Sequence, residues 1–264
     1  MRTAQVVKER RLYKQSAKMA DAHCHLDLIK DQGIIRESVI HGVQFMMTNG
    51  VDTKSNIRCV ELADNRHVFA LLGIDPEHAD ATDEEIEFNI SMIRQHAHKI
   101  VGIGEIGLDY GRVKESVPVE RQKEVFGRFL DVAKQLDLPV SIHSRGSISD
   151  ILDILDSKKM RMVHIHFFEG NAQQAKEVEK KGYMISVPPV QTSKRNKVIK
   201  EIAIDNIMAE SDAPVVGSSP KDVETSIRIV SAAKGIDFNK AAGLLADNTV
   251  KFFNIYAKDA LMRF

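Results

Sequence analysis

Ala20-Asp21-Ala22-His23-Cys24-His25-Leu26-Asp27 is the stretch on which the reading of the fold turns. It opens as a short strand and ends in two histidines, where an open doubly wound sheet usually carries a glycine-rich phosphate loop after its first strand. Alternation along a strand sends His23 and His25 to one face and Cys24 to the other, so two imidazole nitrogens can converge on one metal. Alone, a His-x-His pair is a weak signal. Its weight comes from the rest of the chain.

Short apolar runs alternate with longer amphipathic ones from residue 20 onward, the pattern of βα units packed as a parallel sheet. Candidate strands fall at 20–25, 43–48, 68–74, 100–105, 139–143, 162–166, 183–187 and 207–210. Helical patterns lie between them, clearest after Pro118, where Val125, Phe129, Ala133 and Leu136 recur at helical spacing. Others cover 55–64, 83–98, 148–157, 172–181, 194–202 and 223–234, and two more, 239–246 and 248–257, close the chain. The expected fold is an α/β TIM-type (β/α)8 barrel, regular or distorted, with extra C-terminal helices. The 264 residues suit one such barrel of roughly 250 residues. No linker rich in Pro, Gly or Ser interrupts it, so residues 19–264 are expected to form one domain.

Hydrophobic residues make up 43% and charged residues 28%, an ordinary globular balance that excludes a disordered or fibrous chain. Lys plus Arg equals Asp plus Glu at 37 each, so a polyanion must be held by local positive charge or by metal rather than by net charge. Cys24 and Cys59 form no CxxC pair, which argues against a disulfide framework and a thiolate zinc cluster and fits a reducing, cytoplasmic setting. With no run of about 18 apolar residues and no apolar secretory core at the N-terminus, neither membrane spanning nor export is expected. Residues 1–18 carry Arg2, Lys8, Arg10, Arg11, Lys14 and Lys18 against the single acid Glu9, and read as a solvated basic arm.

Four further residues fall at or just beyond the C-terminal ends of candidate strands: Glu105, His143, His166 and Asp212. In a barrel those ends form one ring around the active face. Burying several imidazoles and ionised carboxylates together is costly without an occupant, and a divalent cation is the obvious one. Oxygen and imidazole ligands suit Zn, Mn, Mg, Fe or Co, and the sequence does not choose among them. A carboxylate such as Glu105 can bridge two ions, and two metals would clamp the attacking and leaving oxygens of a phosphoryl transfer.

At these residues a family resemblance becomes plain. DAHCHLD (Asp21–Asp27), GEIGLDY (Gly104–Tyr110), PVSIHSR (Pro139–Arg145), HFFEG (His166–Gly170) and ESDAP (Glu210–Pro214) resemble, in order and spacing, the motifs of TatD-type deoxyribonucleases, over Met19 to about Tyr256. The resemblance implies that His23, His25 and Asp212 bind one metal, that His143 and His166 bind a second, and that Glu105 bridges them. It implies two divalent ions (Mg, Mn or Zn), Asp212 as the group that orients or deprotonates the attacking water, and DNA trimmed from an end as the substrate. No membrane and no obligate protein partner are implied. Arg145 matches a family arginine and either holds a phosphate or pairs with Asp109 or another acid.

Three departures bear on the substrate. Asp75 stands in Gly73-Ile74-Asp75-Pro76 where the family tends to have histidine, Glu169 adds an acid after His166, and the loop from Val215 to Pro220 is short. Each is expected to weaken the approach of a phosphate more than it disturbs a metal site. His164, two residues before His166, is expected to face inward as a hydrogen-bonded core histidine; Glu210 is read either as a partner of a metal-bound histidine or as part of an interior ion pair. Two other functions stay open: an amidohydrolase-type enzyme acting on a small amide, lactone or phosphate ester, and a non-catalytic metal-containing protein that binds nucleic acid through its basic arm. Many two-metal amidohydrolases bridge with a carboxylated lysine on the fourth strand; Glu105 there favours the nuclease-like subgroup.

Overall fold

The structure is a computed structural model that describes residues 18–113 and 115–255. All but Lys18 of the expected basic arm, and the end of the helical pattern expected at 248–257, lie outside the described residues. Eight parallel strands follow one another in chain order: β1 (Met19–Cys24), β2 (Val43–Asn49), β3 (Val68–Leu72), β4 (Gly102–Asp109), β5 (Val140–Arg145), β6 (Val163–Ile165), β7 (Met184–Val187) and β8 (Ile207–Ala209). Each pairs with the next, as Met46 with Val68 and Val140 with Val163. The ring closes just beyond β8, where the Asp212 N–H donates to His23 O at 3.0 Å and the His25 N–H to Ala213 O at 2.7 Å. The carboxylate of Asp21 spans the same seam, accepting from the Ser211 N–H at 2.8 Å and its hydroxyl at 2.5 Å. This is the expected TIM-type barrel.

The helices between the strands are α1 (Gly33–His41), α2 (Thr53–Leu62), α3 (Asp83–His96), α4 (Val119–Leu136), α5 (Ile148–Lys158), α6 (Ala172–Lys180), α7 (Ser193–Glu201) and α8 (Val223–Lys234), with α9 (Phe238–Phe252) closing the described chain. Their starts follow from local chemistry. Asp52 caps α2 by accepting the Ser55 N–H at 2.7 Å, and Thr82 with Glu85 forms a reciprocal capping box on α3. On α4 Val125, Phe129 and Ala133 of the expected apolar face are buried together with Phe126 and Leu130, while Leu136 is only partly buried against the core; each large buried side chain stabilises by roughly 1.5–3 kcal/mol. Inside the barrel, Met47, Phe69, Leu71, Met184 and Met208 pack with Val250 and Phe253 at the end of α9.

Several elements differ from expectation, among them β5, which runs two residues past His143 to Arg145. Helix α1 was not expected, because Ile34, Ile35, Val39 and Ile40 are β-branched and show no clean helical stripe. The two closing patterns are one helix: Asn248, at the expected break, turns inward and donates to Ile204 O and Ile207 O at 2.8 Å each. Strand β4 runs four residues past Glu105, so Glu105 stands within it and not at its end. Its register against β5 shifts between Ile103 and Ile106, around Glu105.

Candidate metal centre

The glycines of Gly102-Ile-Gly104-Glu105-Ile-Gly107 let neighbouring backbones close in around the carboxylate. Gly107 has φ +145°, and a Cβ there would meet His143 O at 2.1 Å. A Cβ on Gly73 would meet Glu105 O at 2.3 Å. Glu105 is therefore held between β3 and β5, with its two oxygens facing different histidines.

Oε2 of Glu105 lies 3.3 Å from His23 Nε2 and 3.4 Å from His25 Nε2; Oε1 lies 2.8 Å from His143 Nδ1 and 3.0 Å from His166 Nε2. Asp212 Oδ1 joins the first pair at 3.5 Å from His25 and 3.9 Å from His23. All six expected residues thus meet in one place, in two subsets that Glu105 joins. His23, His25 and Asp212 offer three donor atoms within 4.8 Å of one another, as do Glu105, His143 and His166. The His23 and His166 rings stack at 3.8 Å, 6° from parallel. Asp212 reaches its place because its φ of 49° turns the chain back over β1, a conformation Asp tolerates better than most residues.

The donor set fits divalent metal. His23 Nε2 and His25 Nε2 face each other at 3.2 Å, so the two nitrogens share either one proton or, once it is displaced, one cation. The outer nitrogens of two of the four histidines are occupied as ligating histidines require, His25 Nδ1 donating to Asn49 O at 2.9 Å and His143 Nε2 to Asp109 Oδ2 at 3.0 Å, while the buried His166 Nδ1 has no hydrogen-bond partner and faces Glu210 at 3.8 Å. The electrostatics carry the same message. Burial, with repulsion from His166, pushes His23 down to about 4. Burial opposes charge on His25 and His143 too, but Asp212 and Glu105 around the first, and Asp109 and Glu105 around the second, push each up to about 10. Glu105 overcomes its own burial through His166 and His143 and sits well below the usual carboxylate range.

Over the cluster opens a cavity of about 860 Å³, lined by five of the six residues; His23 lies behind them. Arg145 lines it as well, and its Nη1 pairs with Asp109 Oδ2 at 3.1 Å. Asp109, buried and holding both His143 and Arg145, had been considered only as a partner of Arg145; its position four residues after Glu105 in β4 was the available signal. Asp75 and Glu169 line the cavity as expected for rim acids, but Asp75 is not a bare anion. Its Oδ1 accepts from His78 Nδ1 at 2.7 Å, and this bond pushes His78 up to about 9, so the pair is close to neutral. His164 is a core histidine, as expected. Glu210 faces His166 Nδ1 at 3.8 Å and accepts from the Phe167 N–H at 2.7 Å and Ser186 Oγ at 2.6 Å.

Residues 20–254 match the family of TatD-related DNases. The chain belongs to that family. Among its TatD relatives, a metal-dependent hydrolase of Methanocaldococcus jannaschii, MJ1582, is 28% identical over 250 residues, covering 90% of this chain and 98% of the relative. The human deoxyribonuclease TATDN3 is 24% identical over 258 residues, 89% of this chain and 94% of its own. The crystal structure of YjjV, a TatD homologue from Escherichia coli, superposes with a TM-score of 0.83 at 25% identity, over 90% of this chain and 98% of that one. This TatD-family barrel is a metal-dependent hydrolase, and among its described residues no helix is long and apolar enough to cross a membrane.

Proposed function

We propose that the chain is a two-metal phosphodiesterase that trims DNA from an end. The observation that carries this reading is Glu105, whose two oxygens face two separate sets of donors across one carboxylate. His23, His25 and Asp212 would hold one divalent ion, His143 and His166 a second, and Glu105 both, with Mg, Mn or Zn as the ion. Bound there, two such ions supply positive charge to the attacking and leaving oxygens of a displacement.

The chain's own residues divide the remaining work. Asp212 is held below the usual carboxylate range against its burial, chiefly by the hydrogen bond to His25, and as a carboxylate at the cavity wall it accepts a proton from an attacking water. Asp109 fixes His143 with Nδ1 turned toward Glu105. Arg145 presents its remaining guanidinium donors to a phosphate. A DNA substrate accords with the relative named deoxyribonuclease, and a cytoplasmic location with the two unpaired cysteines.

The test is degradation of end-labelled single-stranded DNA by chelated protein, with Mg, Mn and Zn restored one at a time, beside Glu105→Ala. Cleavage that returns with metal and vanishes in the variant supports the proposal. Metal bound at the cluster without DNA cleavage favours the second reading, a hydrolase of small phosphate esters, amides or lactones, for which the Glu169 carboxylate at the cavity wall argues.

A further inference from the structure

Two neighbouring phenylalanines after His166 meet opposite fates. Phe168 is buried in the core, and its ring fills the space that a Cβ on Gly170 would need. Phe167 is only partly buried and lines the cavity over the cluster. Its φ of 46° is one that a bulky side chain rarely adopts, so the surroundings must hold it there. They do so through its backbone: the Phe167 N–H donates to Glu210 Oε1 at 2.7 Å, with Ser186 Oγ as a second acceptor at 3.3 Å.

One face of the Phe167 ring is already taken. The Arg195 guanidinium lies over it, with Cζ 5.0 Å from the ring centroid. Arg195 stands in the first turn of α7 and is itself buried; its Nη1 donates to Val190 O, and its Nε has no hydrogen-bond partner. A guanidinium short of donors' partners is compensated by the π face beneath it, which in turn fixes the ring. What remains accessible of Phe167 is the part turned to the cavity. The result is a flat apolar surface, pinned by its backbone and braced from behind, one residue from His166.

We propose that Phe167 is the stacking platform for a nucleobase, carried by the nucleotide whose phosphate faces the metal cluster. Every base has a π face, so such a platform adds affinity without reading sequence, as a nuclease that moves along a strand requires. It also answers the acids of the cavity. Asp75 and Glu169 oppose a polyanion there, and stacking is a source of affinity that those charges do not oppose. Exposed Leu28, Ile57 and Val215 on the same cavity extend the apolar surface around it. The identity of the planar group rests on the proposed hydrolysis of DNA; the platform itself rests on the ring and its supports.

The test compares two monophosphates that a phosphodiesterase does not cut: 2-aminopurine deoxyribonucleoside 5′-monophosphate, whose fluorescence is quenched by stacking, and deoxyribose 5-phosphate, which has no base. Both are titrated into the Mn²⁺-loaded protein. The wild type is expected to bind the nucleotide about 5- to 100-fold more tightly than the sugar phosphate, with quenching. Phe167→Leu should lose both the advantage and the quenching, with its affinity for the sugar phosphate unchanged, and Phe167→Tyr should keep them. A purely structural role for Phe167 would lower the melting temperature and weaken both ligands alike. An advantage that survives in Phe167→Leu overturns the proposal. So does a wild type that cleaves DNA yet binds the two ligands equally, which leaves the hydrolytic reading standing. A Phe167-dependent advantage in a protein that does not cleave DNA keeps the platform and overturns only that reading. If Phe167→Leu does not fold, Phe167→Trp places a tryptophan in a chain that has none. Its fluorescence should be quenched by dAMP and not by deoxyribose 5-phosphate, and equal responses to the two refute the platform.

Discussion

His23 Nε2 and His25 Nε2 face each other at 3.2 Å in the buried wall of the barrel, one ring pushed down to about 4 and the other up to about 10. Near neutral pH the metal-free pair therefore holds one proton, on His25 and aimed at His23, in the space a metal must take. Metal and proton compete.

Metal affinity is accordingly expected to rise with pH between about 6 and 9, up to tenfold per unit for each proton displaced. The sign for stability is opposite in the metal-free protein. His25 is raised above its unfolded value of about 6.5, so its contribution is whole below that pH and is lost as pH climbs toward about 10. Thermal unfolding with and without Zn²⁺ across this range checks both, and calorimetry in buffers of different ionisation enthalpy counts the protons. A pH-independent affinity contradicts the pair as described.

Glu105→Gln keeps the shape of the bridge and removes its charge. Several kcal/mol of charge stabilisation corresponds to a loss of kcat of about a thousandfold. The same change should also reduce the number of ions bound per chain from two toward one, read by elemental analysis of dialysed protein. Two ions retained with near-normal turnover would contradict the bridging role.

Asp109→Asn tests a residue that touches no expected metal. Because Asp109 fixes His143 at 3.0 Å and Arg145 at 3.1 Å, its amide should weaken metal binding 10- to 100-fold while the fold persists. KM for a phosphodiester should rise as well, since Arg145 loses its anchor. Titration with Mn²⁺ followed by paramagnetic resonance separates the two effects: kinetics restored fully by excess metal would leave Arg145 without a part.

Gly107→Ala forces a side chain onto φ +145° and into His143 O. A backbone held in such a region costs about 1–3 kcal/mol, and relief here requires β4 and β5 to separate at His143. Denaturant unfolding should show the loss in stability, and metal affinity should fall with it. Wild-type stability would mean the strands part without cost.

The Asp75–His78 pair predicts that His78→Ala leaves Asp75 a bare carboxylate at the cavity wall. KM for an anionic substrate should rise several-fold with kcat little changed, and added salt should shrink the difference as it screens the charge. An unchanged KM in low salt would show that Asp75 does not face the substrate.

The barrel and its ring of histidines and carboxylates were legible because each rests on short-range rules. Alternation puts His23 with His25 and His164 with His166 on common faces, and strand ends in a barrel converge whatever the loops between them. Glu105 was placed on the right strand but at its end, because Gly104 and Gly107 look like turn residues until β3 and β5 are seen pressing on them. Asp75 read as an acid in place of the family's histidine, and its pairing was not foreseen because its partner His78 lies three residues on, in a 3₁₀ turn that no periodicity announces.

What the sequence by itself determined is the set of βα units and the chemical types delivered to the C-terminal rim, since periodicity and residue identity are properties of single segments. Only the tertiary structure decided which nitrogen of each histidine is free. For His25 and His143 that choice belongs to Asn49 O and Asp109, partners contributed by strands far apart in the chain. A hydrogen bond of about 3 Å has a direction that closure of the barrel alone sets.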